Sequence, residues 1–233
     1  MKLGIMQPYL FPYLGYFQLM HAVDRFVVGD DVVFIKQGWI NRNRLLINRG
    51  PAYFTVPVKR HAADTLIKDV EIDDHGTRWR ARILKTIENF YRRAPSFHAV
   101  YPVVERVITG PFTKIGDMAR ASLCEVRAYL AIPTTIVESW SSYGNAHLKA
   151  QDRVIDTCRA ERATDYVNAP GGRALYSADA FLAHGMRLHF VCSEPAEYPQ
   201  FGDSFVPGLS IIDVLMFNTQ AGARDLLTRY RLG

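Results

Sequence analysis

Residues 2–31 read KLGIMQPYLFPYLGYFQLMHAVDRFVVGDD. A short apolar run, Leu3 to Met6, gives way to Gln7, two prolines and a cluster of aromatics. A second run, Arg25 to Val28, ends in Gly29-Asp30-Asp31. Apolar runs bounded by Gly and Pro fit buried parallel strands, and Phe17, Met20 and His21 share one helical face between them. The stretch predicts strand, loop, helix, strand. In an open α/β sheet, ligands bind where loops leave the carboxyl ends of the strands. Gln7 to Tyr16 then form one lip of a cleft, with Gln7, Tyr9 and Tyr16 as contacts, and Asp30-Asp31 forms another. Connections normally run over the surface and carry polar residues, so a loop this aromatic argues for a cleft over a merely stiffened turn.

Working outward, 233 residues with 48% hydrophobic content suffice for one sizeable core, and the chain is read as a single domain, 1–233. The net charge of +5 favours phosphates or anionic sugars. No aromatic-flanked basic ladder accompanies it, so RNA binding is a minority expectation. Cys124, Cys158 and Cys192 lack CxxC spacing, which disfavours a zinc knuckle or a disulfide framework and fits a reduced, cytoplasmic setting. The seven histidines are dispersed, so no metal site is expected, and HExxH and GxSxG are absent. The N-terminus does not resemble a signal peptide, and no run of about 18 apolar residues occurs, so a soluble protein is expected.

Val32 to Ile35, Arg44 to Ile47 and Tyr53 to Val58 read as a meander or hairpin pair with Asn48-Arg49-Gly50-Pro51 as its turn. Ile67 to Ile72 reads as another strand. Helices are expected over Thr77–Arg93, Phe97–Thr109 and Phe112–Leu130, then a strand at Thr134–Val137. Ala150–Arg162 reads as helix, Asp165–Asn168 as strand, Ala178–His184 as helix and Leu188–Val191 as strand. Ser210–Phe217 and Ala223–Tyr230 read as helical. Strands alternating with helices predict a Rossmann-like α/β fold, a mostly parallel sheet flanked by helices with a hairpin or meander insertion and a helical region. Glu194 to Pro207 is the loosest segment and a candidate lid.

Several clusters carry chemistry. Gly38 to Arg44 gathers Trp39, Asn41, Arg42, Asn43 and Arg44, and a guanidinium binds carboxylate or phosphate bidentately. Asp31 is a candidate base or Mg²⁺ ligand, and Lys59 offers a charge to phosphate; a turn cap and a plain surface lysine are their competing roles. Tyr166, Asn168, Gly171 and Gly172 lie where a predicted strand meets a helix, and consecutive glycines let backbone N–H groups approach an anion. Neither a Walker loop nor G-x-G-x-x-G is present. Ser210 with Asp213 has N-cap spacing and Asn218 fits a C-cap; a site role for these three rests on the outward N–H groups of a helix start.

Four long motifs, MQPYLFPYLGYFQLM, DRFVVGDDVVFIKQGWINRNRLL, YVNAPGGRALY and LSIIDVLMFN, resemble the WbqC-like family over Met6 to Tyr230. That family is associated with bacterial O-antigen and other surface-polysaccharide gene clusters. The resemblance implies a transferase that adds an amino acid such as glycine to an amino sugar. The opening also looks like that of nucleotidylyltransferase-type enzymes, with Gly15-Tyr16-Phe17 where those carry Gly-His. The missing imidazole leaves Arg42, Lys59 or the Gly171-Gly172 loop to stabilise a phosphoryl group. The expected reaction joins an activated carboxyl, as an adenylate or from an aminoacyl donor, to the amine of a nucleotide-linked amino sugar, with ATP and Mg²⁺ as possible cofactors. Asp31, Arg42 and Lys59 are the catalytic candidates. A charged-tRNA donor is the less favoured variant, and a non-catalytic nucleotide-sugar-binding or pathway partner protein is the alternative. The oligomeric state is left open.

Overall fold

The computed structural model describes residues 1–75 and 78–233. In chain order, β1 (Lys2–Met6) leads through a loop to α1 (Leu14–His21) and β2 (Arg25–Val28). A hairpin of β3 (Arg42–Ile47) and β4 (Gly50–Thr55) follows, then α2 (Trp79–Tyr91), α3 (Phe97–Thr109) and α4 (Ile115–Tyr129). The chain re-enters the sheet at β5 (Thr135–Val137) and continues through α5 (Ala150–Ala160), β6 (Asp165–Asn168), α6 (Ala178–Leu182) and β7 (Arg187–Ser193). It closes with α7 (Ile211–Phe217), α8 (Gln220–Leu227) and β8 (Tyr230–Leu232).

The main sheet has the order β5-β2-β1-β6-β7-β8. Its first five strands are parallel, and β8 runs antiparallel along the β7 edge. The chain builds outward from β1 to β2 and β5, then returns to β6 on the other side of β1. The crossover direction therefore reverses between β1 and β6, which makes their carboxyl ends a topological switch point.

Both faces of this sheet are covered, as the near-continuous apolar strands require. Leu3, Ile5, Val27 and Tyr166 pack on one face with Ile155, Cys158 and Phe181 from α5 and α6. Phe26, Val28 and Val167 point to the other, where Phe17, Leu19 and Met20 of α1 join the larger core. Each such aromatic or aliphatic side chain, fully buried, contributes roughly 1.5–3 kcal/mol of transfer free energy. Gly4 permits the approach of α1: a Cβ there would lie 2.9 Å from Leu19 Cδ2.

The β3–β4 hairpin forms a separate two-stranded sheet with Asn48-Arg49 at its turn, both at positive φ. Two neighbouring strand expectations are corrected. Val32–Ile35 forms only a single bridge, Val33 to Leu66, and Ile67–Ile72 begins as a 3-10 turn over Ile67–Asp69. Ile67, Val70 and Ile72 are all buried; the first two, three residues apart, reach the core from one turn rather than from alternating strand positions. Likewise α8 ends at Leu227, and Tyr230 belongs to β8, where it pairs with Ser193. A strand edge needing partners decided that ending. The expected start of α2 at Thr77 lies outside the described residues. Among the described residues, no helix is long and apolar enough to cross a membrane.

Candidate functional site

The loop after β1 is shaped before any ligand is considered. Phe11 is buried at φ +44°, a conformation that costs a non-glycine residue energy. Its backbone is held on both sides: its N–H donates to Ser122 Oγ at 3.0 Å, and its carbonyl accepts from Asn43 Nδ2 at 2.8 Å and Ser210 Oγ at 2.7 Å. Asn43 also reaches the Leu10 carbonyl, and the Tyr16 hydroxyl donates to the Gln7 carbonyl at 2.8 Å. The result is a fixed aromatic lip above the ends of β1 and β6.

Beneath it lies a cavity of about 490 Å³, within the range of small-molecule sites. Gln7, Tyr9 and Tyr13 come from the β1 loop, and Trp39 from the approach to the hairpin. Tyr166, Asn168, Gly171 and Gly172 come from β6 and the 3-10 turn after it, with Leu175 and Tyr176 beyond and Trp140 opposite. The Asn168 side chain builds that turn: Nδ2 donates to Tyr166 Oη at 2.7 Å, and Oδ1 accepts from the Ala169 N–H at 2.6 Å. A Cβ on Gly172 would sit 3.2 Å from both the Asn168 carboxamide and the Tyr176 ring, whereas one on Gly171 would meet nothing within 4 Å. Gly171 therefore presents bare backbone to open space.

Trp140 is anchored from behind. Its indole N–H donates to Thr157 Oγ1 at 2.8 Å, and the Arg153 guanidinium lies 4.0 Å from the ring centroid. Arg153 in turn pairs with Asp31 at 2.6 Å, both side chains buried. Asp30 accepts from Ser139 Oγ at 2.7 Å and from the Trp140 N–H. Burial raises the Asp30 pKa, and those hydrogen bonds oppose the rise.

Among the described residues, no charged side chain lines this cavity. Two further hollows of similar size share lining residues with it. One of about 530 Å³ runs past Tyr13, Gly15, Gly171 and Ser193, and another of about 560 Å³ lies between α1 and the 194–209 segment. Tyr13 borders all three.

A family model described as the WbqC-like protein family matches residues 7–225. The chain belongs to that family. It is also similar to the uncharacterized protein Rv1507c of Mycobacterium tuberculosis, with 31% identity over 229 residues covering 97% of each chain. No solved structure matches it. The WbqC-like motifs converge on the switch point: the opening motif supplies one wall, the Asn168–Gly172 motif the other, and Ser210 pins the lip between them.

The sequence-derived candidates separate into groups. Gln7, Tyr9, Trp39, Tyr166, Asn168, Gly171 and Gly172 line the cavity, and Tyr16 braces its lip through the Gln7 carbonyl. Asp30 and Asp31 lie behind Trp140. Arg42 donates to the carbonyls of Gly38 and Gln37 and covers the Tyr53 ring at 4.6 Å. Asn41 donates to the Val56 carbonyl, and Lys59 pairs with Glu71 at 2.6 Å; both border a separate basic hollow of about 260 Å³ with Lys36, Arg60 and His61. Asp213 accepts from Tyr91, Tyr198 and Gln200, and Asn218 caps α7 by donating to the Val214 carbonyl. Sequence reasoning passed over Trp140 and Tyr176, which come from irregular segments; the aromatic-rich SWSSYG stretch was the available signal for Trp140. Among the described residues, no three His, Cys, Asp or Glu side chains converge to hold a metal.

Proposed function

We propose that this WbqC-like protein is a transferase of surface-polysaccharide biosynthesis that joins an amino acid, glycine in its simplest form, to an amino sugar. The observation that carries the reading is the cavity at the β1/β6 switch point, walled by aromatics and carboxamides and floored by the bare Gly171 backbone. A nucleotide fits such walls: Tyr9, Trp39 and Trp140 offer surfaces for a base or sugar ring, Gln7 and Asn168 lie beside them, and Gly171 gives a phosphate access to the backbone. Membership of the WbqC-like family supports a place in surface-polysaccharide biosynthesis.

In this reaction the amine nitrogen attacks the activated carboxyl carbon. The bond from that carbon to its leaving oxygen breaks, AMP or the acyl carrier departs, and the ammonium proton passes to solvent. The protein's part is to hold and align the two reactants, which alone supplies much of such a barrier reduction. Asp31 and Arg42 serve this reading by fixing Trp140 and the hairpin approach.

One observation favours a second reading. Among the described residues the cavity lining holds no charged side chain, and Asp31, Arg42 and Lys59 are each engaged with protein groups. A non-catalytic nucleotide-sugar-binding protein would need no more than this.

A thermal-shift titration with ATP/Mg²⁺, nucleotide-sugars and free amino acids tests both. A ligand at 100 times its Kd stabilises the fold by about 2.7 kcal/mol. The Gly171→Leu variant should keep its own melting temperature, because its side chain enters open space, and lose the nucleotide shift. Pyrophosphate or AMP release with glycine supports the transferase; binding without turnover selects the second reading. Absence of any nucleotide shift overturns both.

A further inference from the structure

The net positive charge of this chain comes from one stretch. Residues 32–63 hold six basic side chains, Lys36, Arg42, Arg44, Arg49, Lys59 and Arg60, and no Asp or Glu. The rest of the chain carries 22 Lys and Arg against 23 Asp and Glu. The net charge of +5 therefore resides in the β3–β4 hairpin and the segments that enter and leave it. Cations gathered in this way are the footprint of a polyanionic partner.

The hairpin sorts its side chains by face. Asn43, Leu45 and Phe54 are buried, whereas Arg44 stands opposite Tyr53 and Arg42 opposite Thr55 on the outer side. Tyr53 is 53% exposed and Trp39 36%. Their ring centroids lie 6.0 Å apart. The Arg42 guanidinium sits 4.6 Å from the Tyr53 centroid, and that of Arg44 sits 5.3 Å from the Trp39 ring. Two cations thus enclose two exposed rings in a single row, Arg42, Tyr53, Trp39, Arg44. The row is not legible along the chain, because Tyr53 reaches Trp39 only through the pairing of β3 with β4. Aromatic rings and guanidinium planes both stack nucleic-acid bases.

The charges of this face are oriented but not neutralised. Arg42 donates to the carbonyls of Gly38 and Gln37, and Arg44 donates to the Gly208 carbonyl at 2.7 Å. Lys59 and Arg49 are paired with Glu71 and Asp203. Among the described residues, Arg42, Arg44, Lys36 and Arg60 form no salt bridge. Lys36 and Arg60 border the hollow of about 260 Å³, and Gln37, which accepts from Arg42, lines the same hollow. Four uncompensated cations therefore flank one continuous surface. At its inner end Trp39 also lines the switch-point cavity, so bases stacked along the row lead to that cavity.

We propose that the outer face of the β3–β4 hairpin, with the Lys36 and Arg60 hollow beside it, binds the single-stranded end of an RNA. The proposal rests on the transferase reading for its biological role, in which such an RNA is the acyl carrier, and on the aromatic row and the unpaired cations for its chemistry.

The test follows fluorescence anisotropy of a labelled single-stranded RNA of about eight nucleotides, a length within the usual site sizes of stacking surfaces, titrated with the full chain. A duplex of the same sequence and an abasic strand of the same length are the comparisons. The single strand should bind at least tenfold more tightly than either. Its log affinity should fall with log salt at a slope of about −2 to −3, as three or four phosphate contacts give. Tyr53→Ala, which removes one stacking ring, should weaken binding at least fivefold. Lys36→Gln combined with Arg60→Gln should weaken it by as much, flatten the salt slope by about 1, and keep the nucleotide-dependent thermal shift. Arg82→Gln combined with Lys85→Gln removes the same charge from the exposed side of α2 and should leave binding within twofold. An abasic strand or duplex that binds as tightly as the single strand, an unchanged affinity in Tyr53→Ala, or equal losses in the two charge variants would each overturn the assignment. If the RNA binds as expected but neither a nucleotide shift nor amino-acid transfer is found, the RNA face stands and the transferase reading falls.

Discussion

Asn43 donates its side-chain amide to the Phe11 carbonyl at 2.8 Å and so holds a buried phenylalanine at φ +44°. The two residues are 32 positions apart, and the bond ties the hairpin to the lip of the cavity. Its Oδ1 also accepts from the Arg44 N–H at 2.8 Å. Asn43→Ala leaves the Leu10 and Phe11 carbonyls short of a donor in the interior. Urea unfolding should show a loss of about 2–3 kcal/mol. The nucleotide-dependent thermal shift should shrink with it; an unchanged midpoint and shift would mean that the lip holds its shape without this bond.

Arg153 and Asp31 form a buried pair behind Trp140. Arg153→Met strands the Asp31 carboxylate and should cost about 3–5 kcal/mol, as broken buried pairs do. The double replacement Asp31→Leu with Arg153→Met should cost clearly less than the single, because no uncompensated charge remains. Chemical denaturation of the native chain, Arg153→Met, Asp31→Leu and the double variant reads this directly. A double variant as unstable as the sum of both singles would show that the pair is not coupled. Asp31→Asn that abolishes turnover with stability intact would instead assign Asp31 a role at the substrate.

Asp165, at the start of β6, makes an acid-side prediction. Burial pushes its pKa upward, but hydrogen bonds from Thr164, Arg187 and His189 outweigh that and hold it below the ordinary carboxylate value. The folded pKa is thus lower than the unfolded one, about 4. The stabilisation is complete above the unfolded pKa and is lost as pH falls toward the folded value. Melting temperatures of the native chain and Asp165→Asn should differ most near pH 7 and converge below pH 4. Parallel curves down to pH 2 would contradict the assignment.

Cys158 is buried against the sheet, and burial pushes its thiol up to about 12. At pH 8 iodoacetamide should leave Cys158 unmodified in the folded chain and label it fully in denaturant, as peptide mass analysis would report. Labelling at the unfolded rate would place this helix among locally opening segments.

Much of the frame is legible in the chain. β2, β6 and α3 match their sequence-derived bounds because apolar runs with Gly and Pro boundaries, or a clean 3.6 period, leave one reading. Ile67–Ile72 misled because one short 3-10 turn brings Ile67 and Val70 together toward the core. Tyr230 misled because only the neighbouring β7 edge makes it a strand residue.

The candidate site divides along the same line. Gln7, Tyr9, Asn168, Gly171 and Gly172 were visible because their loops follow predicted strands, and strand ends in an α/β sheet are where ligands gather. Nothing local distinguishes the groups that line a cavity from those that hold it open. Arg42 and Lys59 found partners within the chain, whereas Trp140, from an irregular segment, became a wall. By itself the sequence determined the alternation of strands and helices, the family, and the loops at the switch point. The tertiary structure alone decided which charges are neutralised by partners and which aromatics face the opening. Those outcomes depend on contacts that no local pattern encodes, from Lys59 with Glu71 across a turn of the chain to Asp31 with Arg153 and Phe11 with Ser210, more than a hundred positions apart.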